Sequence, residues 1–258
     1  MREERENRKR LLREQPLSRL FPNLVTIAGL CCGLSAIRFA MDGKWEMAVA
    51  FIFAAAIIDG MDGRIARMLG ATSVFGAQLD SLSDFVCFGV VPALVIYQWR
   101  LHEVKGFGWA AVLFYIVCCA LRLARFNTGL ITGNQQPWQK RFFTGVPSPA
   151  GGILCLLPLV VSFQLEQSVR LSAPLVLLYV LIIGALMASR IPTFAAKDVR
   201  IKPELILPVT VAGALAVVLF IIEPWEATTL FGLVYLAAIP FSMWQYRKLS
   251  RASALISE

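Results

Sequence analysis

The chain has 258 residues, 57% hydrophobic and 16% charged, with a mean hydropathy of +0.66 and a formal net charge of +8. So apolar a composition excludes an ordinary soluble domain and describes an integral membrane protein. The basic excess falls in the pattern that membrane topology imposes, so nucleic acid need not be invoked as a partner.

In chain order, the opening "MREERENRKRLLREQPLSR" is too long and too charged for the n-region of a cleaved signal peptide, and no small-residue cleavage site follows the first apolar run. It reads as a cytoplasmic topology signal or as an interfacial segment on anionic lipid, with Pro16 and Pro22 marking its junction to the bilayer. Apolar runs able to cross about 30 Å of hydrocarbon as helices are expected at about Leu20 to Ala40, Glu46 to Arg67, Asp80 to Tyr97 and Phe107 to Phe126. Four more are expected at about Ser148 to Gln164, Pro174 to Ser189, Glu204 to Ile222 and Thr229 to Tyr246. The fold class is therefore an all-α, polytopic membrane helix bundle of about eight helices.

Arg2, Arg5, Arg8, Lys9, Arg10, Arg13 and Arg19 precede the first helix and place the amino terminus in the cytoplasm by the positive-inside rule. An even number of crossings returns the carboxyl terminus there. Threading the chain through the bilayer puts Arg64, Arg67, Arg122, Arg125, Lys140, Arg141, Arg190, Lys197, Arg200, Lys202, Arg247, Lys248 and Arg251 on the same side, leaving Lys44, Arg100, Lys105 and Arg170 outside. The six cysteines lie in apolar runs without zinc or redox spacing and read as small core hydrophobes. His102, the one histidine, falls in an outer loop, so no histidine metal site or nucleophile–histidine pair can be assembled.

Aspartates then stand out. The chain has six, and Asp59, Asp62, Asp80 and Asp84 share one 26-residue window. Asp59 and Asp62 are spaced i, i+3 and Asp80 and Asp84 i, i+4, so each pair shares a face of its own helix. Gly70 and Gly76 are expected to break the chain between two antiparallel helices, with the segment from Met68 to Leu79 as a cytoplasmic turn. The four carboxylates can then converge at one membrane surface. Buried, unpaired carboxylates cost several kcal/mol each, so such a cluster implies compensating cations. Oxygen-only ligands select hard divalent ions, and two Mg²⁺ or Mn²⁺ ions could share the four carboxylates with substrate phosphate oxygens. The alternative is a structural set paired with Arg64 and Arg67. Gly60, Gly63 and Ala66 leave the same region open to a broad ligand, and Arg67 offers a planar fork for a phosphate.

The pattern Asp59-x-x-Asp62-Gly63-x-x-Ala66-Arg67, eight residues, Gly76-x-x-x-Asp80-x-x-x-Asp84 resembles the signature of the CDP-alcohol phosphotransferases, with every motif position filled. The resemblance implies a six-helix core over residues 20–190, two additional helices in 191–246, a basic segment 1–19, a cytoplasmic tail 247–258, and a homodimer. It also implies that Asp59, Asp62 and Asp80 bind metal, and that Asp84 binds metal and acts as general base. A CDP-linked lipid would be contacted by Asn23 to Thr26, Gly63, Ala66, Arg67, Ser73 and Gly76. "LRLARFNTG" from Leu121, "FFTGVPSPAGG" from Phe142 and "MASRIPTF" from Met187 are similar to the branch that uses serine as acceptor. That branch implies transfer of a phosphatidyl group from CDP-diacylglycerol to L-serine, on the cytoplasmic side of a bacterial inner membrane. Arg122 and Arg125, with Asn127 beside them, are candidates to hold the serine carboxylate; equally, the arginines could mark a cytoplasmic helix end.

Rival readings come from three classes. A sister enzyme would use glycerol phosphate, inositol phosphate or choline as acceptor. A prenyltransferase would need a second aspartate-rich segment, for which no aspartate remains. A cation transporter using membrane carboxylates would favour sites near the midplane and some repeat symmetry.

Overall fold

The computed structural model describes residues 20–68, 73–132, 142–165, 171–194 and 205–256. Among them the chain forms eight helical rods and one two-stranded ladder. The first two rods are α1 (Leu20–Met41) and α2 (Trp45–Met68). The third is continuous from α3 (Val74–Asp84) through a π-helical turn (Phe85–Val90) to α4 (Val91–Trp99). A 3-10 turn (Leu101–Val104) leads into α5 (Lys105–Thr132), followed by β1 (Phe142–Thr144), α6 (Ser148–Gln164), α7 (Ala173–Ala188), β2 (Pro192–Phe194), α8 (Ile206–Ile222) and α9 (Pro224–Ile256). A helix stands at each of the eight places the apolar runs mark. Four, Phe21–Met41, Val74–Trp99, Leu101–Thr128 and Pro224–Tyr246, are long and apolar enough to cross a membrane; Ser148–Gln164, Ala173–Ala188 and Ile206–Ile222 are shorter apolar helices.

Several boundaries differ from expectation. The third helix begins at Val74, not Asp80, because the Ser73 side chain accepts the Gly76 N–H at 2.9 Å and caps the first turn. Gly76 therefore sits inside the helix and breaks nothing, while Gly70 lies outside the described residues. Pro22 likewise falls within the first turn of α1, where its missing N–H is no loss. The last helix runs on to Ile256, through residues expected to form a tail. Segment 1–19, with Pro16, lies outside the described residues.

The core is formed by α1, α2, the α3–α4 rod, α5, α6 and α7, around fully buried Ile52, Phe88, Ile96, Tyr115, Leu156 and Ile183. Cys87, Cys118, Cys119 and Cys155 are buried as expected, whereas Cys31 is exposed. Two helix prolines are accommodated in the same way. Pro92 has no N–H for the Phe88 carbonyl four residues back, and the Tyr115 hydroxyl of α5 donates to that carbonyl at 3.0 Å. Pro158 of α6 leaves the Leu154 carbonyl, and the Tyr179 hydroxyl of α7 donates to it at 2.9 Å. The π turn is packed tightly: a Cβ on Gly33 of α1 would fall 2.5 Å from Cys87 Sγ, and one on Gly152 of α6 would fall 3.1 Å from Phe88 Cα.

The ladder β1–β2 is antiparallel, pairing Phe143 with Thr193, and was not apparent from the sequence. Gly145 follows it at φ +80, where a Cβ would strike the Met187 carbonyl. Helix α8 buries none of its residues. Helix α9 differs: Thr228, Gly232, Tyr235, Ile239 and Ser242 recur at helical spacing, and Thr228, Gly232, Ile239 and Ser242 are buried. Ser242 Oγ donates to the Pro192 carbonyl at 2.7 Å and fixes α9 to β2.

Candidate active site

Asp59 and Asp62 lie one turn apart near the end of α2, and Asp80 and Asp84 one turn apart on α3, so the two helices present their carboxylates to each other. Asp59, Asp62 and Asp80 each bring an oxygen to within 4.8 Å of the other two. Asp84 lies one turn further along α3, on the face it shares with Asp80. One Asp84 oxygen, Oδ2, accepts from Ser148 Oγ at 3.1 Å; the other, Oδ1, is buried without a partner. Asp62 is 4% exposed, and Thr26 Oγ1 of α1 donates to its Oδ2 at 2.7 Å. A narrow crevice lined by Thr26, Gly29, Ala55, Asp59, Asp62, Ser83, Cys87 and Phe88 runs beside the cluster.

Among the described residues the one side-chain ion pair is Arg100–Glu103, at the opposite end of the α3–α4 rod. Arg64 and Arg67 are exposed and do not neutralise the cluster, so the structural alternative of paired arginines is not what forms. Four carboxylates held together, one with an orphaned buried oxygen, fit a hard cation that takes oxygen ligands.

The residues assigned to a CDP-linked lipid are distributed around the same end. Gly63 is open, with nothing within 4 Å of the position its Cβ would occupy. Gly76 instead marks a close approach, since a Cβ there would lie 3.0 Å from Asn23 Oδ1 of α1 and 3.1 Å from Ser73 Oγ. Thr26 is already bonded to Asp62 and to the Pro22 carbonyl, and Ser73 caps α3. The Ala66 side chain lies outside the described residues.

The three expected serine ligands do not turn to one point. Arg122 Nη1 donates to Ser148 Oγ at 2.6 Å, in line with the Ser148–Asp84 bond, so guanidinium, hydroxyl and carboxylate form a chain into the cluster. Arg125 Nη1 donates to the Ala188 and Ser189 carbonyls at 2.9 and 3.2 Å, a cation on the carboxyl end of α7. Asn127 Nδ2 donates to Ser81 Oγ at 3.2 Å and ties α5 to α3. Arg125 thus serves the carboxyl end of α7, and Arg122 alone of the two adjoins the cluster. Ser148, which links Arg122 to Asp84, was not among the expected site residues; its one sequence signal is its place between Pro147 and Pro149, which set the first turn of α6.

A family profile described as CDP-alcohol phosphatidyltransferase matches residues 19–188, and a second, CDP-alcohol phosphatidyltransferase 2, matches residues 204–240. The chain is 38% identical over 231 residues to a CDP-diacylglycerol–serine O-phosphatidyltransferase of Mycobacterium leprae, covering 90% of this chain and 77% of that protein. It is 35% identical over 232 residues to the protein of that name from Mycobacterium tuberculosis, covering 90% and 81%. With the Helicobacter pylori protein of that name it shares 33% identity over 217 residues, covering 84% and 88%.

Proposed function

Since the chain belongs to the CDP-alcohol phosphatidyltransferase family, we propose that it moves the phosphatidyl group of CDP-diacylglycerol onto the hydroxyl of L-serine, giving phosphatidylserine and CMP. The observation that carries the reading is the set of four facing carboxylates, three of them with oxygens within 4.8 Å of one another. The names borne by relatives at 33–38% identity supply the acceptor.

In this reading Asp59, Asp62, Asp80 and Asp84 hold one or two Mg²⁺ or Mn²⁺ ions. When bound, such ions neutralise a diphosphate and make an attacking hydroxyl more acidic. The protein's own groups do the rest. Thr26 keeps the Asp62 carboxylate turned toward the cluster, and Ser148 fixes Asp84 through Oδ2, leaving Oδ1 free to take the proton of the serine hydroxyl. The serine oxygen forms a bond to the lipid-side phosphorus as the bond from that phosphorus to the CMP oxygen breaks. The open face at Gly63, with the exposed Arg67 one turn on, receives the donor's phosphates. Positioning and charge stabilisation supply most of the rate in such transfers, so no covalent enzyme intermediate is needed.

The protein is an integral membrane protein, and the finer picture is eight crossings with both termini and the carboxylate cluster at the cytoplasmic face of a bacterial inner membrane, as a homodimer. The distribution of basic residues supports the orientation. Purified protein incubated with CDP-diacylglycerol, Mg²⁺ or Mn²⁺ and a panel of acceptors tests the function: serine-dependent CMP release is expected. Release driven instead by glycerol phosphate, inositol phosphate or choline would move the chain to a sister activity.

A further inference from the structure

Ser148 is the first residue of α6, fully buried, and its hydroxyl takes no part in capping its own helix. It is spent on two other helices: Oγ accepts from Arg122 Nη1 of α5 at 2.6 Å and donates to Asp84 Oδ2 of α3 at 3.1 Å. The direction of the second bond is not free. A guanidinium has only donors and a carboxylate anion only acceptors, so with Arg122 on its lone pair the single hydroxyl proton has to point at Asp84. Oδ2 is thereby engaged as an acceptor, and Oδ1, buried and unpartnered, is the oxygen left for an incoming proton.

Backbone features alone deliver Ser148 to that spot. Gly152 stands one turn after Ser148 on the same face of α6, and Phe88 one turn after Asp84 on the neighbouring rod. A Cβ at Gly152 would fall 3.1 Å from Phe88 Cα, so the glycine lets the two rods close beside the cluster. Ahead of the helix, Gly145 donates its N–H to the Ile191 carbonyl at 2.8 Å and accepts from Thr193 Oγ1 at 2.8 Å, which ties the approach to α6 to the β2 segment. The Gly151 N–H closes the first turn on the Pro147 carbonyl at 2.8 Å. None of these bonds uses the serine hydroxyl, which leaves it to orient Asp84.

We propose that Ser148 is a positioning residue for the transfer: with its proton aimed by Arg122, it keeps the Asp84 carboxylate from turning, so that Oδ1 faces the attacking hydroxyl while Oδ2 stays engaged. The assignment rests on the reading of Asp84 as the base and deepens it. Without the link, the carboxylate turns about its Cβ–Cγ bond, a torsion with broad wells, and exchanges its two oxygens. The proton balance is that of the transfer itself. The acceptor's hydroxyl proton passes to Asp84 Oδ1 as its oxygen bonds to phosphorus and CMP leaves, and Ser148 keeps its own proton throughout.

The test compares Ser148→Ala and Ser148→Thr with the unmodified full-length enzyme, by steady-state kinetics and by thermal unfolding in excess chelator and with added Mg²⁺. Removing the hydrogen bond that orients a ligating carboxylate is expected to lower kcat about ten- to a hundredfold in Ser148→Ala. The CDP-diacylglycerol KM should stay within about twofold. The rise in Tm on adding Mg²⁺ should be retained, because every carboxylate of the cluster remains, and a merely structural serine would not separate the two readouts. Ser148→Thr keeps the hydroxyl and should recover most of the lost kcat. An unchanged kcat in Ser148→Ala overturns the assignment, as does loss of the Mg²⁺ response together with kcat, or a Ser148→Thr variant with the Tm of the unmodified protein and the kcat of Ser148→Ala. The acceptor is tested separately: if CMP release answers to another alcohol and not to serine, the serine reading fails, and the same three proteins are compared with that alcohol. If Asp84→Asn keeps a normal kcat, the base reading fails, and the assignment with it.

Discussion

Two polar regions meet at the active end of this bundle, and they are incomplete in opposite senses. Where α2 faces α3, four carboxylates gather with no cation of the described residues paired to them, and one buried oxygen of Asp84 has no donor. On α5, the buried Arg122 guanidinium has no carboxylate of the described residues in direct contact and reaches Asp84 through Ser148. The seam is one hydroxyl: Ser148 accepts from Arg122 and donates to Asp84. A structural polar network would have closed these shortfalls against each other by a direct Arg122–Asp84 pair, since unpaired buried charges cost several kcal/mol. Keeping the two charges one serine apart leaves the acidic half available to cations and phosphate, and the basic half available to an anionic acceptor.

The comparison breaks most violently on the acidic side. Asp59→Asn, Asp62→Asn and Asp80→Asn are each expected to lower serine-dependent CMP release by about a thousandfold or more. Each should leave the helix content in detergent unchanged. Because each removes one of several facing like charges, the variants should also melt at or above the Tm of the unmodified protein in excess chelator. Added Mg²⁺ or Mn²⁺ should raise Tm for the unmodified protein and not for the variants. Turnover that persists in excess chelator would end the metal reading.

Asp84→Asn tests the seam. If Asp84 takes the proton in the transition state, kcat should fall by roughly a hundred- to ten-thousandfold, with a smaller change in the apparent affinity for CDP-diacylglycerol. A defect confined to donor binding would make Asp84 a ligand and nothing more.

The two arginines sharpen the contrast within the basic side. Arg122→Lys replaces a planar fork by a point charge and should raise the serine KM by about ten- to a hundredfold, the scale of a charge-assisted hydrogen bond of about 1.5–3 kcal/mol. Arg125→Met should instead lower stability by about 1–2 kcal/mol, since it removes a cation and donor from the last carbonyls of α7, and should leave the serine KM alone. If the two outcomes were exchanged, the acceptor would lie toward α7.

These two arginines also show what the sequence could and could not say. Their i, i+3 spacing in an apolar helix announced that something polar happens there, but a spacing on one helix says nothing about which neighbour each side chain reaches. The carboxylates were more legible because two same-face pairs on two consecutive antiparallel helices can converge, and four buried like charges have a reason to share a cation. Helix positions were legible for the same local reason. Ser148 was not, because a serine at the start of a helix is ordinary, and its meaning comes from an arginine and an aspartate on two other helices. The β1–β2 ladder was hidden likewise, since its strands are three residues each and separated by two helices. The start of the third helix was misplaced because Gly70 and Gly76 read as breakers, whereas the Ser73 cap overrides the glycine within its first turn.

That cap gives the smallest effect and the finest test. Ser73 is expected from the family pattern to contact the CDP-linked lipid, yet its Oγ accepts the Gly76 N–H and so fixes where α3, and with it Asp80 and Asp84, begins. A capping role and a ligand role separate by substitution. Ser73→Ala removes both and should cost about 1 kcal/mol of stability, while Ser73→Asp keeps a good cap but sets a negative charge where the donor's phosphates would approach. If capping is the whole role, Ser73→Asp restores the Tm lost in Ser73→Ala and returns the CDP-diacylglycerol KM to that of the unmodified protein. If the hydroxyl also contacts the donor, Ser73→Asp restores Tm and leaves the donor KM raised, because the added carboxylate repels the diphosphate. Either way the serine KM should not move, since Ser73 belongs to the acidic half; a change in it would mean that the two halves are not separable as drawn.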